Sequence, residues 1–502
     1  MVRAATAIAL AALAAVTLAA EGMLPASTGT RADIAAPAPI APVPSRRQLA
    51  WHELEFYGFL HFGINTFTDR EWGYGDESET LFDPTALDAR QWARAARDAG
   101  MKGLIITAKH HDGFCLWPSR YTEHSVKRSP WRGGRGDVLR ELADACREYG
   151  LKMGVYLSPW DRNRADYGRP EYLAAYRAQL RELMTGYGPL FEVWFDGANG
   201  GDGFYGGARE TRRIDNRTYY DWPNTWSIVR ALQPAAVMFS DAGPDVRWVG
   251  NENGVAFDTS WYGLDRQATY PGDPAYARDF ASGRPDASDW VPPEVDVSIR
   301  PGWFHHASED ARVKSVRQLL DIYERSVGRG ANLLLNVPPD RRGLIPEPDV
   351  ERLREFRRAL DDTYRMDLAR GAAASATNVR GGSPAFAASR VNDGSTATYW
   401  ATDDGVKMAS VELAFDAPAR FDRVVLQEFI ALGQRVEAWT VDAEVDGAWQ
   451  PVGAGTTIGH TRIVVCDPVT ARRVRVNITR ARACPTLAGV AVYLSGRRGG
   501  LH

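Results

Sequence analysis

Short runs of consecutive apolar residues alternate with amphipathic stretches from residue 51 to about residue 365. Six runs are pronounced, at 56–64, 102–110, 152–160, 190–197, 235–243 and 331–339, and two weaker ones lie at 255–261 and 296–304. A continuous apolar run is typical of a strand that is buried on both faces, as in a parallel sheet. The pattern therefore predicts about eight buried strands.

The stretches between these runs carry helical signals. The stretch 136–150 places its apolar residues on one stripe, begins after Asp137 as a potential cap and ends at Gly150. Similar patterns cover 84–100, 170–188 and 311–328. Strands and helices that alternate in this way predict an α/β fold, either a closed (β/α)8 barrel or an open doubly wound sheet.

The turn after the first run separates these two folds. A doubly wound sheet usually has a Gly-rich phosphate-binding turn at this point, and "HFGINTF" does not supply one. We therefore predict a (β/α)8 TIM-like barrel over residues 47–365. The remainder, 366–502, loses the helical period and shows short alternating runs between turn residues, which predicts a separate β-sandwich.

The N-terminus opens with "MVRAATAIALAALAAVTLAA". One Arg followed by an Ala-rich apolar run over residues 1–20 predicts a signal peptide, with a membrane anchor as the competing interpretation. Residues 21–46 are rich in Ala and Pro and are expected to form a disordered leader or linker. Together these features predict a secreted or periplasmic protein that is not membrane-bound after cleavage.

Composition narrows the classes of partner. The 502 residues carry a net charge of −3, which gives no reason to expect nucleic acid or an anionic membrane surface. Of the four cysteines, Cys466 and Cys484 could pair in an oxidising compartment, or all four could be buried thiols. The oligomeric state is left open.

Polar and aromatic residues gather at the carboxyl ends of five predicted strands, where barrel enzymes place their chemistry. The set is His61, Glu71, Trp72, His110, His111, Asp112, Tyr156, Trp160, Trp194, Asp196, Arg247, Trp248 and Glu252. A lone Asp at a strand end is usually a cap or a turn former. Five strand ends with such residues instead predict that Asp196 points into a site.

Two chemistries fit these residues. Glycoside hydrolysis needs two carboxyl groups, one ionised and one with a raised pKa. A metal-dependent hydrolase could instead use His61, His110, His111 and Asp196 as ligands. Barrel metal sites usually take paired ligands two residues apart on the first strand, and Gly63 occupies the second of those positions. Glycoside hydrolysis is therefore favoured.

Four tracts, "HFGINTFTDREWG", "TAKHHDGFCLWPS", "GVYLSPWDR" and "WFDGA", resemble glycoside hydrolase family 29, the α-L-fucosidases, over about residues 50–365. The tract "SDAGPDVRWVGNE" resembles the subfamily that acts on α-1,3- and α-1,4-linked fucose. The resemblance implies an exported bacterial enzyme that acts on fucosylated glycans through a covalent intermediate. It implies Asp196 as nucleophile and Glu252 as acid/base, with Glu294 as a spare candidate for the latter role.

The resemblance also implies a set of sugar-binding residues and no metal or other cofactor. The expected substrate contacts are His61, Glu71, Trp72, His110, His111, Tyr156, Trp194, Arg247 and Trp248. The tract "VNDGSTATYW" resembles discoidin-like or family 32 carbohydrate-binding modules, which bind sugar or pack on the barrel. A Ca²⁺ ion near Asn392 and Asp393 is conceivable. The non-enzyme alternative is a fucose-binding protein that has lost catalysis.

Overall fold

The computed structural model describes residues 34–496. The predicted signal peptide, 1–20, and the first part of the predicted leader lie outside these residues. Within 34–496 no helix combines the length and the apolar character needed to cross a membrane.

Eight parallel strands form a closed barrel. They are β1 Phe56–Leu60, β2 Gly103–Lys109, β3 Lys152–Leu157, β4 Leu190–Trp194, β5 Val237–Ser240, β6 Val246–Trp248, β7 Pro293–Ser298 and β8 Asn332–Asn336. Each strand pairs with the next one in the chain, and β8 closes on β1 through pairs such as Gly58 with Leu335. The predicted α/β barrel is confirmed.

One strand lies elsewhere than the apolar pattern indicated. Residues 255–261 form no strand, and the sixth barrel strand is Val246–Trp248 instead. This strand is three residues long with Arg247 at its centre, so it leaves no apolar run to detect. It also follows β5 after only the short segment 241–245, without an intervening helix.

Nine α-helices are present among residues 34–496. They are α1 Arg46–His52, α2 Ile64–Thr68, α3 Ala89–Asp98, α4 Val138–Tyr149, α5 Pro170–Gly186, α6 Trp222–Leu232, α7 Tyr276–Asp279, α8 Val316–Ser326 and α9 Glu347–Tyr364. The predicted caps of α4 are confirmed. The Asp137 carboxylate accepts the Arg140 backbone N–H at 2.9 Å, and Gly150 ends the helix at a left-handed φ of 70°.

The C-terminal region is an antiparallel sheet domain. Its strands are β9 Ala373–Ala376, β10 Trp400–Ala401, β11 Ala409–Glu428, β12 Val436–Val445, β13 Ala448–Gly455, β14 Arg462–Ala481 and β15 Thr486–Tyr493. The order is β10-β15-β11-β14-β12-β13, and β9 pairs with β11. All four cysteines are free thiols, so Cys466 and Cys484 do not pair.

Contacts join the two domains and the segment before α1. The Arg423 guanidinium of the sheet domain lies 2.7 Å from the Glu324 carboxylate on α8. The Ile40 backbone N–H donates to the Leu432 carbonyl at 3.0 Å. The described part of the predicted leader therefore lies against the sheet domain, which the Ala- and Pro-rich composition did not indicate.

Candidate active site

A cavity of about 310 Å³ opens at the carboxyl ends of the barrel strands. Its volume falls at the lower end of the range that small-molecule sites occupy. It is lined by Phe59, His61, Glu71, Trp72, His110, His111, Tyr156, Trp194, Asp196, Ala198, Glu252, Asp296 and Trp303. Of the residues predicted at the strand ends, four do not line it, namely Asp112, Trp160, Arg247 and Trp248.

Asp196 lies just beyond the end of β4, with its carboxylate held by two donors. The Tyr156 hydroxyl donates to Oδ2 at 2.9 Å, and the Ala198 backbone N–H donates to Oδ1 at 2.7 Å. Nε2 of His111 lies 3.8 Å from Oδ2. The side chain keeps 24% of its surface exposed, so the carboxylate is both oriented and accessible from the cavity.

The three cavity histidines are neutral. Burial lowers the pKa of His61 to about 3 and the pKa of His111 to about 4. Burial, followed by the proximity of the other two histidines, holds the pKa of His110 well below its ordinary value. Uncharged imidazoles can donate or accept hydrogen bonds to sugar hydroxyls without adding positive charge beside Asp196.

Hydrogen bonds behind the cavity set the proton on two of these rings. Ser158 Oγ donates to the Trp160 carbonyl at 2.7 Å, so Nδ1–H of His111, at 2.7 Å from Oγ, is the donor in that contact. Nδ1 of His61 lies 2.9 Å from Oδ1 of Asn336, which can only accept. Both rings therefore present an unprotonated Nε2, an acceptor for a hydroxyl group.

Glu71 is held by the segment that follows β7. The backbone N–H groups of Trp303 and Phe304 donate to its two carboxylate oxygens at 2.8 and 3.1 Å. His306 bridges Glu71 and Asp69 with 2.7 Å contacts to each. Burial opposes protonation of His306, but the hydrogen bonds to Asp69 and Glu71 raise its pKa above the ordinary value. Glu71 is thus fixed at the cavity wall.

Glu252 reaches the cavity from the long loop after β6. The indole N–H of Trp303 donates to its Oε2 at 3.2 Å. Burial, then the negative charges of Asp196 and Glu71, raise the pKa of Glu252 above its ordinary value. Among the four carboxyl groups of the cavity, those of Glu71, Asp196, Glu252 and Asp296, Asp196 is an oriented acceptor and Glu252 is biased towards its protonated form.

Comparison with known sequences shows which proteins this chain is similar to. The Alpha-L-fucosidase family matches residues 49–362, and the F5/8 type C domain family matches residues 372–488. Alpha-L-fucosidase 1 of Arabidopsis thaliana is 43% identical over 466 residues, which cover 91% of this chain and 88% of the plant protein. The chain belongs to the α-L-fucosidase family. It is a glycoside hydrolase, as the sequence motifs predicted.

Solved structures of the family have the same fold as this chain. A glycoside hydrolase 29 family member from an unknown rumen bacterium is 44% identical with a TM-score of 0.82, covering 91% of this chain and 78% of that one. A Ruminococcus gnavus GH29 fucosidase in complex with fucose is 32% identical with a TM-score of 0.84, covering 92% and 97%. These similarities extend over both domains of this fucosidase.

Arg247 does not reach the fucosidase cavity. Its side chain is fully buried in β6 and donates to the backbone carbonyls of Trp261 and Ala281 at 2.8 and 3.1 Å, and also to that of Val291. This differs from the predicted substrate contact. The guanidinium instead ties together the loop that carries Glu252, since 261 and 281 both belong to that loop.

Four cavity residues were not anticipated, namely Phe59, Ala198, Asp296 and Trp303. Asp296 is buried at the end of β7, and Trp248 lies behind it, its indole N–H donating to Oδ1 at 2.8 Å. Burial, then the charge of Glu252, holds the pKa of Asp296 well above its ordinary value. A signal was available, because Glu294 and Asp296 are two residues apart on a strand and must share a face.

Glu294 lies in the barrel interior, beneath the cavity. Its Oε1 accepts the Trp194 indole N–H at 2.8 Å, and its Oε2 accepts the Tyr57 hydroxyl. The side chain is fully buried and does not line the cavity. The structure therefore offers no support for Glu294 as the acid/base residue and places it under Trp194 as a structural support.

The metal-hydrolase alternative finds no ligand set in the described part of the chain. Among residues 34–496, no three His, Cys, Asp or Glu side chains are arranged so that they could hold a metal ion. Two of the proposed ligands, His61 and His111, have Nδ1 engaged with Asn336 and Ser158. The same hydrogen bonds suit a site that binds hydroxyl groups.

Proposed function

We propose that this protein is a retaining exo-α-L-fucosidase that releases terminal α-1,3- or α-1,4-linked fucose from glycans. The observation that carries the proposal is the pair Asp196 and Glu252 in one cavity. The first carboxylate accepts hydrogen bonds that fix its direction, and the second has a raised pKa. Two carboxyl groups in unlike environments are what a glycosidase requires.

The two carboxyl groups take successive roles. Asp196 attacks the anomeric carbon of fucose while Glu252 donates its proton to the departing glycosidic oxygen. Water then attacks the fucosyl ester, with Glu252 taking a proton from it, and free fucose and Asp196 are restored. The Tyr156 hydroxyl, 2.9 Å from Oδ2, orients the nucleophile during both steps.

The cavity suits a single deoxyhexose residue. Its walls combine aromatic rings with neutral histidines and the fixed carboxylate of Glu71. Aromatic surface accommodates the methyl group of fucose, while imidazole and carboxylate acceptors pair with the ring hydroxyls. A Ruminococcus gnavus relative has been solved with fucose bound, which supports fucose as the sugar.

The linkage and the location rest on sequence alone. The tract 240–252, which ends at Glu252, resembles the subfamily for α-1,3 and α-1,4 linkages. The pattern of residues 1–20 supports export to the periplasm or the medium. The sheet domain, which matches the F5/8 type C family, is a candidate carbohydrate-binding module.

Trapping tests the nucleophile. A 2-fluoro-fucosyl donor should form a stable ester, and peptide mass spectrometry should locate the label on Asp196. A label on any other residue, or none in protein that hydrolyses an aryl fucoside, would overturn the assignment. Hydrolysis of a Lewis-type trisaccharide beside a 2′-linked fucoside tests the linkage, and faster release from the 2′-linked sugar would contradict it.

A further inference from the structure

The segment 302–306 contacts both sides of the cavity. Its backbone N–H groups at Trp303 and Phe304 bind Glu71, and His306 binds Glu71 as well. Its Trp303 side chain extends the other way and donates to Glu252. One short segment after β7 thus holds a sugar-binding carboxylate and the acid/base carboxyl at the same time.

We propose that Trp303 is a positioning residue that holds Glu252 in line for proton transfer, and that segment 302–306 links this position to Glu71. This inference rests on the proposed role of Glu252 as acid/base. It assigns to the Trp303 indole N–H a task separate from forming the wall of the sugar pocket.

Glu252 needs such a support. It lies on the long loop between β6 and β7, and its side chain is only partly buried, so that it stays open to solvent on one side. Among residues 34–496, the Trp303 indole is the one hydrogen-bond donor that its carboxylate has. A partly buried side chain with a single donor depends on that donor for its direction, whereas Asp196 has two.

Trp303 is itself fixed without help from Glu252. Its carbonyl accepts the Asn336 amide N–H at 2.8 Å, and its backbone N–H binds Glu71. Its ring lies against His61, with centroids 4.9 Å apart. The position of the indole is therefore fixed by contacts other than that with Glu252. A fucose residue bound to Glu71 and His61 would contact the residues that hold Trp303 in place, and Trp303 in turn orients Glu252.

The substitution Trp303→Phe tests the inference, because it removes the N–H donor and keeps a smaller aromatic ring beside His61. We expect kcat/KM for a Lewis-type trisaccharide to fall roughly fivefold or more, the size of one lost hydrogen bond. For an aryl fucoside, whose leaving group hardly needs a proton, the fall in kcat/KM should be clearly smaller than for the trisaccharide.

The pH profile supplies a readout that a wall-forming role would not move. The indole N–H favours the ionised form of Glu252, so its removal raises the pKa of that carboxyl. The alkaline limb of kcat/KM for the trisaccharide should therefore move to higher pH by about one unit. An unmoved limb, or equal losses on both substrates, would overturn the inference.

Two controls separate this inference from the proposed function. Trp226→Phe removes an indole N–H on α6 that has no hydrogen-bond partner within residues 34–496, and it should behave as wild type. Glu252→Gln should impair the trisaccharide far more than the aryl fucoside. If Glu252→Gln impairs both substrates equally, the acid/base assignment itself fails. If Glu252→Gln behaves as expected and Trp303→Phe has wild-type kinetics, only the inference about Trp303 fails. Should Trp303→Phe unfold early, Trp303→Leu, which also lacks the N–H donor, should show the same upward shift of the alkaline limb.

Discussion

Two pairs of carboxyl groups lie at different depths of the same barrel. Glu192 and Glu294 are fully buried in the interior, whereas Asp196 and Glu252 face the cavity at the mouth. Each pair includes a residue of β4 or the position just beyond it. Comparing the pairs shows which surroundings make a carboxyl group structural and which make it available for chemistry.

The interior pair is enclosed by donors from the barrel itself. The Trp51 indole N–H donates to Glu192 at 3.0 Å, and the Trp194 indole N–H donates to Glu294 at 2.8 Å. Burial, then the charge of Glu294, holds the pKa of Glu192 well above its ordinary value, and burial raises the pKa of Glu294 too. These groups support the floor of the cavity.

The mouth pair is held by donors on one side only. Asp196 is bound by Tyr156 and by the backbone of Ala198, and Glu252 by Trp303. The remaining directions open to the cavity. Burial and nearby negative charges affect the carboxyl groups of both pairs. The pairs differ in that Asp196 and Glu252 are open to the cavity on one side, from which a sugar can approach.

The largest effect on activity is expected for a substitution of Asp196 at the mouth of the barrel. Asp196→Asn keeps the shape and an acceptor for Tyr156 but removes the proposed nucleophile. We expect kcat/KM for an aryl fucoside to fall roughly 10⁴-fold or more, as for other catalytic nucleophiles. The free energy of unfolding in urea should change by less than about 1 kcal/mol. Near-normal turnover would show that Asp196 is not the nucleophile.

A substitution of Glu294 in the barrel interior should instead lower stability more than activity. Glu294→Ala leaves the Trp194 indole and the Tyr57 hydroxyl without their buried acceptor. We expect a loss of about 3 kcal/mol in the free energy of unfolding, since two buried donors lose their partner. Activity at low temperature should fall far less than for Asp196→Asn, because Asp196 and Glu252, the proposed catalytic pair, are unchanged.

The matched control for this change is Glu294→Gln. It retains a side-chain oxygen for Trp194 and nearly the same volume, so most of the stability should return. If the Ala and Gln variants unfold at the same urea concentration, hydrogen bonding to Glu294 does not support the floor of the cavity.

The mouth and the interior should also differ in their response to pH. His61 and His111 have pKa values of about 3 and about 4 when folded, below their unfolded value near 6.5. The unfolded chain therefore binds protons first as the pH falls below 6.5, and each histidine destabilises the fold there. Between pH 6.5 and 5 the cost reaches up to about 2 kcal/mol for each ring.

The buried glutamates act with the opposite sign. The pKa of Glu294 is raised in the folded state, so its stabilising contribution is present below the unfolded pKa and is lost as the pH rises. Urea unfolding of His61→Gln and Glu294→Gln from pH 4.5 to 7.5 separates the two. The first variant should lose less stability than wild type on acidification, and the second less on alkalinisation. Parallel curves for all three proteins would contradict both assignments.

The sequence predicted the mouth better than the interior for a physical reason. Residues at the ends of apolar runs, such as His61 and Asp196, stand out because polar side chains interrupt a buried pattern. The prediction that Arg247 contacts substrate failed for two reasons. Its strand is too short to show an apolar pattern, and its guanidinium donates to backbone carbonyls that are distant in sequence. Trp303 and Asp296 depend on the register of β7, which the apolar pattern placed three residues too late.

The smallest effect on kcat/KM is expected for Ser158, which holds the His111 ring from behind the cavity. Ser158→Ala removes the acceptor that fixes Nδ1–H on His111, so the ring can present the wrong nitrogen to the sugar. One lost hydrogen bond of about 1 kcal/mol predicts a roughly fivefold fall in kcat/KM. Ser326→Ala, which removes a buried hydroxyl that bonds to the Ile322 carbonyl in α8, is the matched control and should leave kcat/KM unchanged. Equal kinetics for the two variants would mean that His111 holds its orientation without Ser158, and that the open side of the mouth needs less support than the geometry indicates.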